Sequence, residues 1–436
     1  AHSGSGANLT SLPAAQITGT LPAISAANLT NVPAANITGT LPAIDGSNLT
    51  GIGGTDFIHA EQISVSGVTT SQAFIPSQGQ LSHRNILING DMNIAQRGTS
   101  STSVGYKTCD RWYFAYGGEN ETPTQAQADL SSSDTPYSFG FRKSYKITNG
   151  NQTSTDAADY LVFYTVIEAQ DLAKCGWNYT STSSYITLSF WAKSSVTKTF
   201  DVKLTTNDGT AQQFNHKFAL SANTWKKVEI PIPGNSNITI NNDNGKGVEI
   251  QWDMYSGTNY TSGSTVDQWV TYNGNTSAPD ETADWWTTND ATFELTGVQL
   301  EVGQVATPFE HRSFGDELRL CKRYFNMYSR THADSGNEAI IANGFYWSSS
   351  RFMAPLRFDV PMRTNSWSLY KVTGSSYFRI YNNGGGSHEV SDFGLNGQAH
   401  VSSAHLNIDS GISSSGDAGV FFTLNSAARI GFDAEL

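Results

Sequence analysis

Aromatic side chains recur in this chain beside amides, carboxylates and guanidiniums, and that mixture suits sugar recognition. Flat ring faces stack on pyranose rings, and planar polar groups bond their hydroxyls. Trp269, Tyr272, Asn273 and Asn275 fall close together, with Trp285 and Trp286 shortly after. Trp177, Asn178 and Tyr179 are consecutive. Tyr346, Trp347 and Arg351 form a later group, followed by Tyr377, Arg379 and Tyr381. The candidate glycan contacts are Trp269, Tyr272, Trp285, Trp286, Tyr346, Trp347, Arg351, Tyr377 and Arg379. If Trp285 and Trp286 lie on a strand, they point to opposite faces, so one of them is the better candidate. Trp191 and Trp252 sit within strong strand patterns and are expected in a core.

Two other chemistries are weaker. Asn89, Asp91 and Asn93 offer oxygen donors for a structural Ca²⁺, although no Ca²⁺-loop signature surrounds them. No other cofactor is expected. Acidic pairs such as Asp284 with Asp290, or Asp280 with Glu281, are the raw material of a glycosidase. Their separation in space decides that function, and sequence spacing does not give it. His59, His83, His216, His311 and His388 follow no metal-binding spacing, and no nucleophile elbow or phosphate loop occurs. The expectation is a non-enzyme, with a polysaccharide depolymerase as the enzymatic alternative.

Composition narrows the partners. The net charge is −12 and only 15% of the 436 residues are charged. No Lys/Arg cluster appears, which argues against nucleic acid and anionic membranes. No apolar run reaches the length of a membrane span, so no membrane insertion is expected. Cys109, Cys175 and Cys321 are an odd, widely spaced set, expected as buried apolar residues rather than a disulfide framework. No signal peptide is visible and the first residue is Ala, so an attachment region is expected to precede this chain.

The elements that must position these side chains are mostly strands. The chain opens on a repeat: copies begin at Asn8, Asn28 and Asn48, a period of 20 residues, with Leu-Pro or Val-Pro about every ten. Regular prolines exclude a continuous helix. An apolar stripe on so thin a ribbon needs copies of itself, and three chains around one axis is the simplest solution. Alternating segments follow at 184–194, 198–206, 224–232, 246–255 and 291–303, bounded by turn residues. Ser313 and Asp316 mark a helix start over 313–330, with Leu318, Cys321, Tyr324, Phe325 and Tyr328 on one face. Further strands are expected at 339–349, 354–362, 366–372, 377–383 and 420–436. The fold class is all-β: a repetitive trimeric shaft over 1–56, a connector over 57–81, a jelly-roll β-sandwich over 82–312, a short connecting helix over 313–330 and a small C-terminal β-sandwich tip over 331–436.

Residues 85–98, Asp110-Arg111-Trp112, Phe190-Trp191-Ala192-Lys193 and 295–325 together resemble a jelly-roll module of phage tail fibres, itself similar to carbohydrate-binding modules. The Asn-Leu-Thr repeat is likewise similar to the shaft repeats of such fibres. The resemblance implies a virion protein, a homotrimer and adhesion to a bacterial surface glycan, lipopolysaccharide or capsule. It also implies contacts with other tail proteins through the preceding region. A bacterial surface adhesin is the alternative owner of the same physics.

Overall fold

A computed structural model describes residues 82–330, 339–395, 400–409 and 413–436. The expected shaft over 1–56 and connector over 57–81 lie outside the described residues. What is described belongs to one compact unit, Phe74–Leu436, and it is almost entirely β.

The first part contains β1 (Ser100–Ser101), β2 (Tyr113–Gly117), β3 (Thr124–Asp129), β4 (Lys143–Thr148), β5 (Tyr160–Glu168), α1 (Ala169–Ala173) and β6 (Tyr185–Ser194). It continues with β7 (Lys198–Thr206), β8 (Gln212–Leu220), β9 (Lys226–Pro233), β10 (Lys246–Ser256), β11 (Trp269–Thr271) and β12 (Thr292–Val302). They form two six-stranded antiparallel sheets, ordered β1-β3-β4-β12-β6-β9 and β11-β8-β7-β10-β5-β2. This is the expected jelly-roll sandwich. All five segments read as strands are strands, because each alternates apolar and polar residues. β9, for example, buries Val228, Ile230 and Ile232 and exposes the residues between them. Trp112, Phe163, Phe190, Trp252 and Phe293 fill the space between the sheets. Phe163 and Trp252 stack in parallel, with ring centroids 5.6 Å apart.

The helix expected over 313–330 is shorter. Ser313 Oγ accepts the Asp316 N–H as the N-cap, and α2 (Phe314–Lys322) stops at Lys322. Phe325–Arg330 is instead β13, paired with the last strand of the chain. Glu317, Cys321 and Tyr324 face inward, whereas Phe314 and Leu320 are exposed. All three cysteines are buried.

The tip follows as β14 (Ala339–Ser348), β15 (Arg351–Arg357), β16 (Ser368–Val372), β17 (Phe378–Asn382) and β18 (Ser387–Val390). It ends with β19 (Gly394–Leu395), β20 (Ser403–Asp409), β21 (Ala418–Thr423) and β22 (Arg429–Asp433). A three-stranded sheet, β13-β22-β16, packs on a seven-stranded one, β18-β17-β21-β14-β15-β20-β19, around Tyr346, Phe378, Phe421 and Phe432. The segment 420–436 is two strands rather than one, split by a turn closed by the Ala428 N–H on Asn425 O.

The two β-domains are fastened by buried ions. Arg111, 1% exposed, donates to Glu435 and to Val166 O, and its guanidinium lies 3.5 Å from the Tyr324 ring centroid. Arg97 reaches Asp433 at 2.8 Å and Glu435 at 3.4 Å. Arg323 holds Glu168 through two bonds of 2.7 and 2.9 Å. Arg363 donates to Ala434 O and Glu435 O, and Tyr106 Oη donates to Leu436 O. The last residues are therefore tied to the sandwich as well as to their own sheet.

Removing one partner of such a pair strands a charge in a dry site. Arg111→Met and Glu435→Gln should each cost about 3–5 kcal/mol in denaturant unfolding. The double variant should cost much less than the sum of the two.

Candidate functional site

The sheet β11-β8-β7-β10-β5-β2 has one face in the core and one turned away from it. Its register aligns one cross-strand row on the outer face. Tyr113 on β2 pairs with Tyr164 on β5, Tyr164 with Gln251 on β10, Gln251 with Lys203 on β7, and Lys203 with Asn215 on β8. At 4.7–4.9 Å per strand, the row spans about 19 Å. Tyr113 and Tyr164 stack, with centroids 4.7 Å apart and planes 14° from parallel.

The segments on either side of the edge strand β11, 257–268 and 272–284, fold back over this face. Asn215 Nδ2 bonds Ser264 Oγ, Gln213 Nε2 bonds Thr276 O at 2.7 Å, and Lys217 Nζ bonds Asp280 O at 2.7 Å. Between that segment and β5 lies a groove of about 730 Å³. Its aromatic walls are Tyr160, Tyr260 and Tyr272, and its floor includes Lys203 and Gln251. Tyr160 and Tyr260 meet edge to face at 5.9 Å. Lys203 Nζ lies 5.9 Å from the Tyr272 ring centroid. Asn259, Asn275 and several hydroxyls complete the lining, and among the described residues no carboxylate belongs to it. Rings, amides, hydroxyls and one cation around an open groove can stack on and hydrogen-bond a polyhydroxylated chain.

Tyr272, 42% exposed, is the predicted residue that falls in this groove, beside Asn275. Its predicted companions do not join it. Trp269 is 9% exposed, packs on Phe214 and donates its Nε1 proton to Pro233 O. Trp285 and Trp286 are both fully buried, which corrects the expectation that one would face outward. They lie on a turn rather than a strand, so alternation does not separate them. Their indole N–H groups donate to Thr292 O and Ser154 O. Trp177 is buried in the sandwich core, next to Tyr179.

At the tip, strand alternation on β14 turns Tyr346 wholly inward, so Tyr346 is core and not a contact. Trp347 is 62% exposed and Arg351 is exposed, at either end of the β14–β15 hairpin. Tyr377 is half-buried against the tip core. Arg379 is engaged by Tyr381 Oη at 2.7 Å and Glu389 at 2.9 Å.

The Ca²⁺ candidates Asn89, Asp91 and Asn93 lie around one turn. Asn89 Oδ1 accepts the Ile94 N–H, its Nδ2 donates to Ile94 O and Asp110 O, and Asn93 Nδ2 donates to Asp91 Oδ2. Asp91 Oδ1 has no hydrogen-bond partner among the described residues.

Sequence reasoning missed Tyr160, Lys203, Gln251 and Tyr260. Lys203 and Gln251 occupy outward positions of recognised alternating strands, which was the available signal. It also missed a buried acidic group: Asp201, Asp253 and Glu281 converge behind the groove. Burial, with the neighbouring carboxylates, pushes Asp201 well above the usual carboxylate range and also raises Asp253.

Exposure separates contacts from core. Trp286→Ala should lose about 3–5 kcal/mol of stability in denaturant unfolding. Tyr272→Ala and Trp347→Ala should stay within about 0.5 kcal/mol of the parent chain.

No protein-family profile matches this chain, and no curated protein matches it. Solved structures do. The enzymatically active domain of tailspike protein 4 from bacteriophage CBA120 aligns at 12% identity and TM-score 0.27, over 50% of this chain and 21% of that one. A family 4 carbohydrate-binding module aligns at 13% identity and TM-score 0.27, over 49% of this chain and 98% of its own. A family 11 carbohydrate-binding module from Clostridium thermocellum, in complex with a mixed-linked tetrasaccharide, aligns at 13% identity and TM-score 0.23, over 44% of this chain and 88% of its own.

Proposed function

We propose that this chain is the distal, adhesive part of a virion tail fibre, and that the tyrosine-walled groove binds a bacterial surface glycan without cleaving it. The observation that carries the reading is the row Tyr113, Tyr164, Gln251 and Lys203, continued by Tyr160, Tyr260 and Tyr272. It sets apolar ring faces beside planar polar groups over the length of a short oligosaccharide. Such a groove suits a neutral or anionic chain, since its one charged side chain is Lys203. Lipopolysaccharide and capsule both offer such chains.

A depolymerase reading would need two carboxylates flanking the scissile bond, about 5–10 Å apart. The groove lining supplies none. The nearest acidic cluster, Asp201 with Asp253, is 0% exposed and out of reach of a glycosidic oxygen.

The proposed assembly is a homotrimer that also contacts other tail proteins. The repeat over 1–56 suggests it. The outer face of the tip's seven-stranded sheet supports it, with Ile340 at 65%, Phe345 at 41% and Trp347 at 62% exposure on one central strand. A second and third copy would cover those side chains. Three weak grooves per fibre then give firm attachment through effective concentration.

The test is retention of the full chain on immobilised host lipopolysaccharide and capsule, beside a Tyr160→Ala/Tyr272→Ala variant. Retention should fall at least about tenfold, roughly 1.4 kcal/mol, with no reducing sugar released by either protein. Unchanged retention, or sugar release, would contradict the reading.

A further inference from the structure

Behind the groove lies a cluster of carboxylates that hydrogen bonding does not satisfy. Asp201 on β7 and Asp253 on β10 stand opposite each other in register. Glu281 reaches them from the segment after β11, and one carboxylate oxygen from each of the three lies within 4.8 Å of the others. Asp201 and Asp253 are 0% exposed, and the Glu281 side chain is 1% exposed. Lys198 Nζ donates to Glu281 Oε2 and Met254 O, both at 2.6 Å, and Gln251 Nε2 donates to Asp253 Oδ1. No donor among the described residues reaches either oxygen of Asp201, Asp253 Oδ2 or Glu281 Oε1.

Three enclosed carboxylates meet one ammonium in direct contact. Leaving a carboxylate such as Asp201 buried with no donor at all is among the costliest arrangements a protein can keep. A cation at the centre resolves it. Three oxygens no more than 4.8 Å apart lie within about 2.8 Å of a common point, so a small inward turn of the side chains brings all three to the roughly 2.3–2.6 Å of a Ca²⁺. The donors are all oxygen, which selects a hard cation over zinc or copper. Mg²⁺ holds its waters and a strict octahedron, whereas this dry, irregular set suits an ion that sheds water readily. A surface recess of about 460 Å³, lined by Lys198, Lys217, Asp280 and Glu281, gives an entry path.

We propose that Asp201, Asp253 and Glu281 bind one Ca²⁺ per chain, with Glu281 Oε1 turned to the ion while Oε2 keeps Lys198. The ion pins 277–284 to β7 and β10 and so fixes the wall of the groove to which Ser277 belongs. This site is separate from Asn89, Asp91 and Asn93, and it stands whether or not the groove takes a glycan.

The test uses the full chain, stripped with chelator and titrated with CaCl₂ by calorimetry, with thermal unfolding followed in parallel. One binding event per chain and a rise in Tm of about 4 °C or more at saturating Ca²⁺ are expected. Asp201→Asn should abolish both, and Glu281→Gln should weaken binding at least about tenfold, about 1.4 kcal/mol. Either variant suffices if the other fails to fold. Asp91→Asn should bind as the parent does. Absence of heat and of a Tm rise in the parent overturns the proposal, leaving shared protons as the cluster's counter-charge. A Ca²⁺ response that persists in both Asp201→Asn and Glu281→Gln overturns the site, and equal binding of MgCl₂ overturns the choice of ion.

Discussion

A guanidinium that sees almost no water must find its counter-charge inside the protein, and Arg111 finds it in Glu435, beside the final residue. The sandwich supplies the cation from the turn before β2, and the tip supplies the carboxylate from just beyond its last strand. Neither domain alone satisfies the pair. Arg97 with Asp433 and Arg323 with Glu168 repeat the arrangement around it, and Arg363 spans the joint through the Asn244 carbonyl. The joint therefore does more than link two modules. It makes correct closure of the C-terminal strand a condition for burying charge on the sandwich. Arg111 holds a left-handed backbone, φ 74°, in making this contact. That conformation is uncommon for a residue with a side chain, and here the surrounding contacts hold it in place.

Polar burial of a different kind shapes the groove. The outer face of β5, β10, β7 and β8 carries Gln213, Asn215, Asp201, Asp253 and Lys203, all nearly inaccessible to solvent. Sheet faces that bear amides and ions are normally left to solvent, because each group otherwise needs a partner. Here the residues flanking β11 cover part of that face and supply backbone partners to Gln213 and Lys217. The groove lies beside that cover. Recognition and cover thus share one surface, and the shape of the groove follows from how firmly that cover is held.

Much of this architecture was legible from side-chain alternation. β6, β7, β9, β10 and β12 each carry apolar residues at alternating positions, regularly enough that the core face was plain. The cap at Ser313 was equally clear, since a hydroxyl three residues before a carboxylate has few other uses. Where the reading failed, two periods fitted the same residues. Tyr324, Phe325 and Tyr328 suit a helix stripe, yet β13 forms because pairing with β22 satisfies its backbone across the joint. Trp285 and Trp286 were assigned opposite directions on the assumption of a strand, and a turn buried both. The groove itself was mostly illegible, because Tyr160, Lys203, Gln251 and Tyr272 meet only through the register of the five strands from β5 to β11. Asp110-Arg111-Trp112, noticed first as a resemblance, has a physical reason: Trp112 is core and Arg111 is the joint.

Hydrogen exchange of the full chain, with and without saturating host surface polysaccharide, tests the central claim most directly. Groove binding predicts slowed exchange in β5, in the outer half of β10 and across 257–277, with the β14–β15 hairpin unchanged. Protection confined to that hairpin around Trp347 and Arg351, with none on β5 and β10, would contradict the groove and move recognition to the tip.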